Sequence, residues 1–163
     1  ISKVAEETGL SEEYIENNEQ KRDALASLNN GYYSGLNNSD ELFIKESELI
    51  KEVADKESCV IVGRCADFIL AGRENVINVF VYSDMEDKIN RATTYYGMDK
   101  SKAEKEIKRI DKLRANHYKY YTEKEWDNHS NYDICINSDA FGVEKSADLI
   151  CELVESRLEM VKA

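Results

Sequence analysis

The sequence predicts an α/β fold in which helices cover both faces of a parallel sheet. Two observations lead there. Three short apolar runs, residues 59–63 (CVIVG), 76–82 (VINVFVY) and 132–137 (YDICIN), are rich in β-branched residues and read as strands buried on both faces. Helical stretches separate them, so strands alternate with helices and the connections are right-handed crossovers. At 163 residues, 42% of them hydrophobic, the chain is expected to form one domain over 1–163 with its own core.

The elements follow in order. Ile1, Val4 and Ala5 share a helical face that stops at Gly9, read as a C′ glycine. Ser11, followed by Glu12 and Glu13, reads as an N-cap with an acidic first turn, opening a second helix to about Arg22. Residues 27–39 (SLNNGYYSGLNNS) are rich in Asn, Gly and Ser and are expected to be a mobile loop. Asp40 then caps a third helix, with Leu42, Leu49, Ile50, Val53 and Ala54 as its buried stripe. Further helices are predicted over 66–70, 84–96, 100–126 and 143–160. The last carries Val143, Ala147, Ile150, Cys151, Val154 and Leu158 at helical spacing. Three strands are few for a sheet covered on both sides. The text begins at Ile1 within a helical pattern, so an N-terminal piece upstream of it is expected to complete the sheet.

Basic residues number 22 and acidic residues 33, a net charge of −11. A negative field of that size argues against a nucleic-acid polymer or an anionic membrane as partner. A small nucleotide stays compatible with it, because a few arginines in a cleft overrule the net charge locally. Cys59, Cys65, Cys135 and Cys151 form no C-x-x-C pair and read as reduced thiols, two of them in apolar runs expected to be buried. His117 and His129 suit no single helix face, so no metal held by protein ligands is expected. The text shows neither a signal peptide nor an apolar run near 18 residues, which predicts a cytoplasmic protein.

In open parallel sheets ligands bind outside the carboxyl ends of the strands. Gly63-Arg64 lies at such an end: the glycine permits a sharp turn, and the arginine fork suits a phosphate. An arginine paired with a nearby acid fits the position equally well. Asp111 and Arg114 are three apart on one helix, presenting an acceptor for a ribose hydroxyl beside a donor fork for phosphate; taken alone they are a solvated ion pair. Lys88 and Arg91 follow the end of the second strand, where cations can approach a transferred phosphoryl group. The aromatic cluster at His117, Tyr118, Tyr120, Tyr121 and Trp126 reads as packing of a helix onto the body rather than base stacking.

Four segments carry a resemblance: CVIVGRCADFIL, VFVYSDMEDKINRA, IDKLRANHYKYYTEKEW and NYDICINSDAFGVEKSADLI. In order and spacing, over residues 44–155, the chain resembles the cytidylate kinase-like family of P-loop phosphotransferases. The resemblance implies a three-layer P-loop NTPase-like fold with a five-stranded parallel sheet when intact, and a helical lid over about 97–128. It implies ATP-dependent phosphorylation of a nucleoside monophosphate, with ATP and Mg²⁺ as cofactors, a small nucleotide as partner and room for a homodimer. By resemblance, Arg64 holds the acceptor phosphate, Lys88 and Arg91 stabilise the migrating phosphoryl group, and Arg109, Asp111 and Arg114 are lid and acceptor-site residues. Catalytic roles thus fall on Lys88, Arg91 and Arg109, and substrate binding on Arg64, Asp111 and Arg114.

Two departures qualify the expectation. The family's aspartate after the Gly-Arg pair is Cys65 here, and a thiol does not replace a carboxylate as acceptor. The Gly-rich phosphate loop is missing from the text and is expected upstream of Ile1; without it the chain as written should not transfer phosphate. The alternatives are a kinase for another small metabolite and a non-catalytic regulatory or interaction module on the same fold.

Overall fold

The computed structural model describes residues 38–162. The helices expected before Gly9 and Arg22 lie outside the described residues, as does most of the 27–39 loop. Its last two residues, Asn38 and Ser39, already belong to a helix. By its own contacts the chain divides into two compact units, one holding residues 38–73 and 115–124, the other 74–114 and 125–162.

In the first unit, helix α1 spans Asn38–Lys56. Asp40 therefore sits in its first turn, where a carboxylate favours the helix dipole, rather than at the cap. Leu42 and Ile50 are buried, while Leu49, Val53 and Ala54 are half-buried. Glu46 is buried with them, one turn from each of the two leucine-type anchors.

After α1 comes the run expected as the first strand. Residues 58–62 adopt no regular structure and pair with no strand among the described residues, and Val60 and Val62 are 94% and 86% exposed. A parallel strand exists through its hydrogen-bonded neighbour, and among the described residues none stands beside this run. The one-turn helix α2 follows at Ala66–Ile69. The second half of a later helix closes the unit: Tyr121 stacks on Phe43 at 3.6 Å, and His117 meets both rings edge-on. Tyr118, buried, donates to Asp67 Oδ2 at 2.6 Å, tying that helix to α2. Of the aromatic cluster, Tyr118 is buried, His117 and Tyr121 pack on Phe43, and Tyr120 is exposed.

The second unit is built on strands β1 (Val79–Tyr82) and β2 (Ile134–Asn137), which pair in parallel with Val79 opposite Ile134 and Tyr82 opposite Asn137. Backbone bonds from Asp133 and Ile134 to the Asn78 carbonyl, and from Asn78 N–H to the Asp133 carboxylate, start the ladder. Both strands are shorter than the sequence implies. They are also not buried on both faces: Val81 and Tyr82 are exposed, and in β2 Ile136 is buried while Cys135 is exposed. Burial along β1 falls from half-buried Val79 and Phe80 to exposed Val81 and Tyr82, whereas β2 alternates. Cys135 is exposed on β2 and Cys59 in the irregular run before Gly63, although both were expected inside, and of the four thiols only Cys65 is buried.

Helix α3 covers Met85–Tyr96, and its limits are written in the sequence: the Asp84 carboxylate accepts from Asp87 N–H at 3.0 Å, and Gly97 ends it at φ 63°. Helix α4 spans Lys100–Thr122 and passes from the second unit into the first. It stops four residues before the expected Trp126 because Thr122 bonds back to the Tyr118 carbonyl and Glu123 turns left-handed at φ 59°. Trp126 instead meets Phe80 of β1 edge-on at 5.5 Å, beside Tyr132 stacked on the same ring at 4.8 Å. A single turn, α5 (Ser138–Phe141), was not expected; it is capped by the Asn137 side chain. Helix α6 (Val143–Lys162) closes the described chain. Its spaced apolar residues are only partly covered, with Ile150 and Val154 half-buried and Val143 and Leu158 exposed. No helix among the described residues is long and apolar enough to cross a membrane.

Candidate functional site

The turn after the apolar run is the most constrained backbone of the first unit. Gly63, Arg64 and Cys65 all have positive φ, at 73°, 58° and 53°. Left-handed backbone costs a non-glycine residue about 1–2 kcal/mol, so two in succession mark a conformation that the surroundings impose. Ala66 N–H closes the turn on the Gly63 carbonyl at 3.1 Å. Arg64 leaves this turn toward α1, where its Nη1 donates to Glu46 Oε1 at 3.2 Å. The Glu46 side chain is 5% exposed and that of Arg64 25%. Burial pushes the Glu46 carboxyl up to about 7. Burial, aided by Asp67 and Glu46, likewise pushes the Cys65 thiol up to about 12. That thiol is neutral, and it is neither a nucleophile nor a carboxylate-like acceptor.

In the second unit the geometry centres on Asp111 of α4. Its Oδ2 accepts from Lys88 Nζ of α3 at 2.7 Å, and its Oδ1 from Arg114 Nη1 at 3.1 Å. One carboxylate therefore fixes two cations from different helices and leaves a net positive charge in the trio. Lys88 and Asp111 are about a third and a quarter exposed, whereas Arg114 is 61% exposed and open to an anion. The sequence spacing had suggested the Asp111–Arg114 pair; Lys88 joining it was not legible, since the two positions are 23 residues apart.

The remaining two expected residues stand apart from the trio. Arg109 forms a bidentate pair with Glu106 on the same helix, at 2.9 and 2.6 Å, on the exposed surface. Arg91 is exposed and lies over the Tyr95 ring, 5.5 Å from its centroid, one turn along α3. Arg64 belongs to the first unit, and Lys88, Arg91, Arg109, Asp111 and Arg114 to the second. Among the described residues no group of three or more His, Cys, Asp or Glu side chains could hold a metal ion. Glu46 is the site residue that the motif reading missed. Its signal was its position, four residues from Leu42 and four from Ile50, which places a carboxylate inside the apolar stripe.

Comparison with known proteins gives the family of the chain. The sequence matches the cytidylate kinase-like family over residues 1–140, and the chain belongs to that family. It is 27% identical over 106 residues to the cytidylate kinase of Archaeoglobus fulgidus, covering 64% of this chain. The match spans 58% of that relative's length, so the chain corresponds to somewhat over half of it. Among solved structures, an uncharacterized protein from Eubacterium ventriosum is 33% identical, with a TM-score of 0.69 over 73% of this chain and 75% of the other.

Proposed function

We propose that the full-length protein is an ATP-dependent kinase that phosphorylates a nucleoside monophosphate. The observation that carries this reading is the Asp111 carboxylate holding Lys88 and Arg114 together from two helices in a member of the cytidylate kinase-like family. Phosphoryl transfer asks little covalent chemistry of the protein. It asks for positioning and for fixed positive charge where negative charge develops. Lys88, held by Asp111, supplies such charge, and Arg91 adds a second cation on the same helix. Arg114 and Arg109 hold phosphate and close the lid over about 97–128. Arg64 clamps the acceptor phosphate through its planar fork. Asp111 also offers lone pairs to an acceptor ribose hydroxyl. Closure of the lid excludes water, so the phosphoryl group passes to the acceptor and not to hydrolysis.

Membership of the family implies that Mg²⁺ would accompany the ATP. When bound with ATP, it would neutralise phosphate charge.

The base of the acceptor is not read through position 65. Cys65 is buried, and its thiol is held neutral. This favours an acceptor chosen by its phosphate and ribose, and it also keeps in view a kinase for another small metabolite or a non-catalytic module. A thermal-shift screen of full-length protein with CMP, UMP and AMP, in the presence of ATP and Mg²⁺, tests the proposal. Stabilisation by at least one monophosphate is expected; no shift with any of them overturns it.

A further inference from the structure

We infer that Asp111 Oδ1 is a shared seat, held by Arg114 until the acceptor phosphate draws the arginine away, and then taken by a ribose hydroxyl of the acceptor. The inference rests on the kinase reading above and deepens it, since one oxygen then links recognition of the phosphate to recognition of the sugar. A local excess of positive charge points to it. The chain carries 33 acidic residues against 22 basic ones. At Asp111 the balance is reversed: two cations share one carboxylate, Lys88 on Oδ2 at 2.7 Å and Arg114 on Oδ1 at 3.1 Å.

The two contacts are unequal. Lys88 reaches Asp111 from α3, is about a third exposed, and makes the shorter bond. Arg114 lies one turn along α4 from Asp111, is 61% exposed, and offers only Nη1 over the longer distance. Arg109 shows the contrast on the same helix: its Nε and Nη2 bond both oxygens of Glu106, at 2.9 and 2.6 Å. A guanidinium holds an oxyanion best through two parallel N–H donors. A phosphate monoester carries more negative charge than a carboxylate and more acceptor oxygens. Arg114, engaged through one nitrogen, therefore gains by exchanging Asp111 for a phosphate. An exposed ion pair one helical turn apart contributes little, so the exchange costs little. Lys88 keeps hold of Oδ2 meanwhile, and the carboxylate stays in place. Oδ1 has then lost its donor, and a ribose hydroxyl replaces it. A nucleoside without phosphate meets this oxygen already occupied.

The test reads affinities from NMR shifts of isotope-labelled full-length protein. The probes are CMP, UMP and AMP, their uncharged nucleosides, and inorganic phosphate, with chloride added to match ionic strength. For the base that binds, saturating phosphate should tighten wild-type binding of the nucleoside about two- to fivefold, the factor that breaking an exposed ion pair supplies. Arg114→Met and Arg114→Ala both leave Oδ1 without its donor. Each should bind the nucleoside about two- to fivefold more tightly than phosphate-free wild type, and phosphate should no longer help. Both should bind the monophosphate more weakly, because the arginine that meets its phosphate is gone. An ion pair that merely braces the helix would not move nucleoside and nucleotide in opposite directions. Variants that bind the nucleoside no more tightly than wild type overturn the shared seat and leave the kinase reading standing. Phosphate coupling that is absent from wild type, or that persists without Arg114, does the same. A wild type that binds none of CMP, UMP and AMP overturns the kinase reading itself.

Discussion

Replacing Glu46 by Gln should change the pH dependence of stability in a direction fixed by its burial. The carboxyl rises from an ordinary 4.5 to about 7 because it is desolvated inside α1's apolar stripe. Between those two values the folded protein keeps a proton that the unfolded chain has released. The wild type therefore loses stability as pH climbs through this window, and the loss is complete above the folded pKa. The displacement corresponds to about 3 kcal/mol. For a chain of this size each kcal/mol moves Tm by roughly 2–4 °C. Glutamine carries no titrating proton, and the other carboxylates are common to both proteins and cancel in a comparison. The Tm of Glu46→Gln minus that of wild type should then grow by about 6–12 °C between pH 4 and pH 8. Differential scanning calorimetry at half-unit pH steps measures it. A difference that stays constant across the range would refute the argument, because it would mean that Glu46 ionises in the folded protein as it does in water.

Two other perturbations test the remaining geometry. In a double-mutant cycle of Lys88→Met with Asp111→Asn, urea unfolding should give a coupling of about 0.5–1 kcal/mol that shrinks in 1 M salt, as a partly exposed pair requires. A coupling indistinguishable from zero at low salt would remove the trio. Tyr118→Phe deletes the 2.6 Å bond to Asp67 and leaves that carboxylate short of a donor, so it should lower stability by about 1–2 kcal/mol. An unchanged urea midpoint would show that the bond contributes nothing.

The sequence made some of this architecture plain and hid the rest for identifiable reasons. Helix α3 is legible because local chemistry sets both ends, with Asp84 as its cap and Gly97 as its left-handed stop. The runs that hold β1 and β2 were legible as strands from their β-branched residues, whereas their pairing is seen only in the structure. Residues 59–63 look the same in sequence, yet Val60 and Val62 stand exposed, because strand formation depends on a neighbour that local composition does not encode. Of the site, the Asp111–Arg114 pair is a matter of helical spacing and could be read directly. The Lys88 contact is tertiary, and nothing in the spacing of α3 announces it. The Arg109–Glu106 pair is likewise a matter of helical spacing, three positions apart on one helix. The Arg64–Glu46 pair was half visible. Of the two readings offered for Arg64, the partner of a nearby acid is what the structure shows, with Glu46 as the acid.

The most direct measurement is steady-state phosphoryl transfer by full-length protein, wild type and Arg64→Ala, with ATP, Mg²⁺ and each nucleoside monophosphate in turn, scored as nucleoside diphosphate by chromatography. The wild type should convert at least one acceptor, and loss of the guanidinium fork should raise that acceptor's KM by about 10- to 100-fold. Diphosphate formed equally well without the Arg64 side chain, or not formed by the wild type from any monophosphate, would contradict the account.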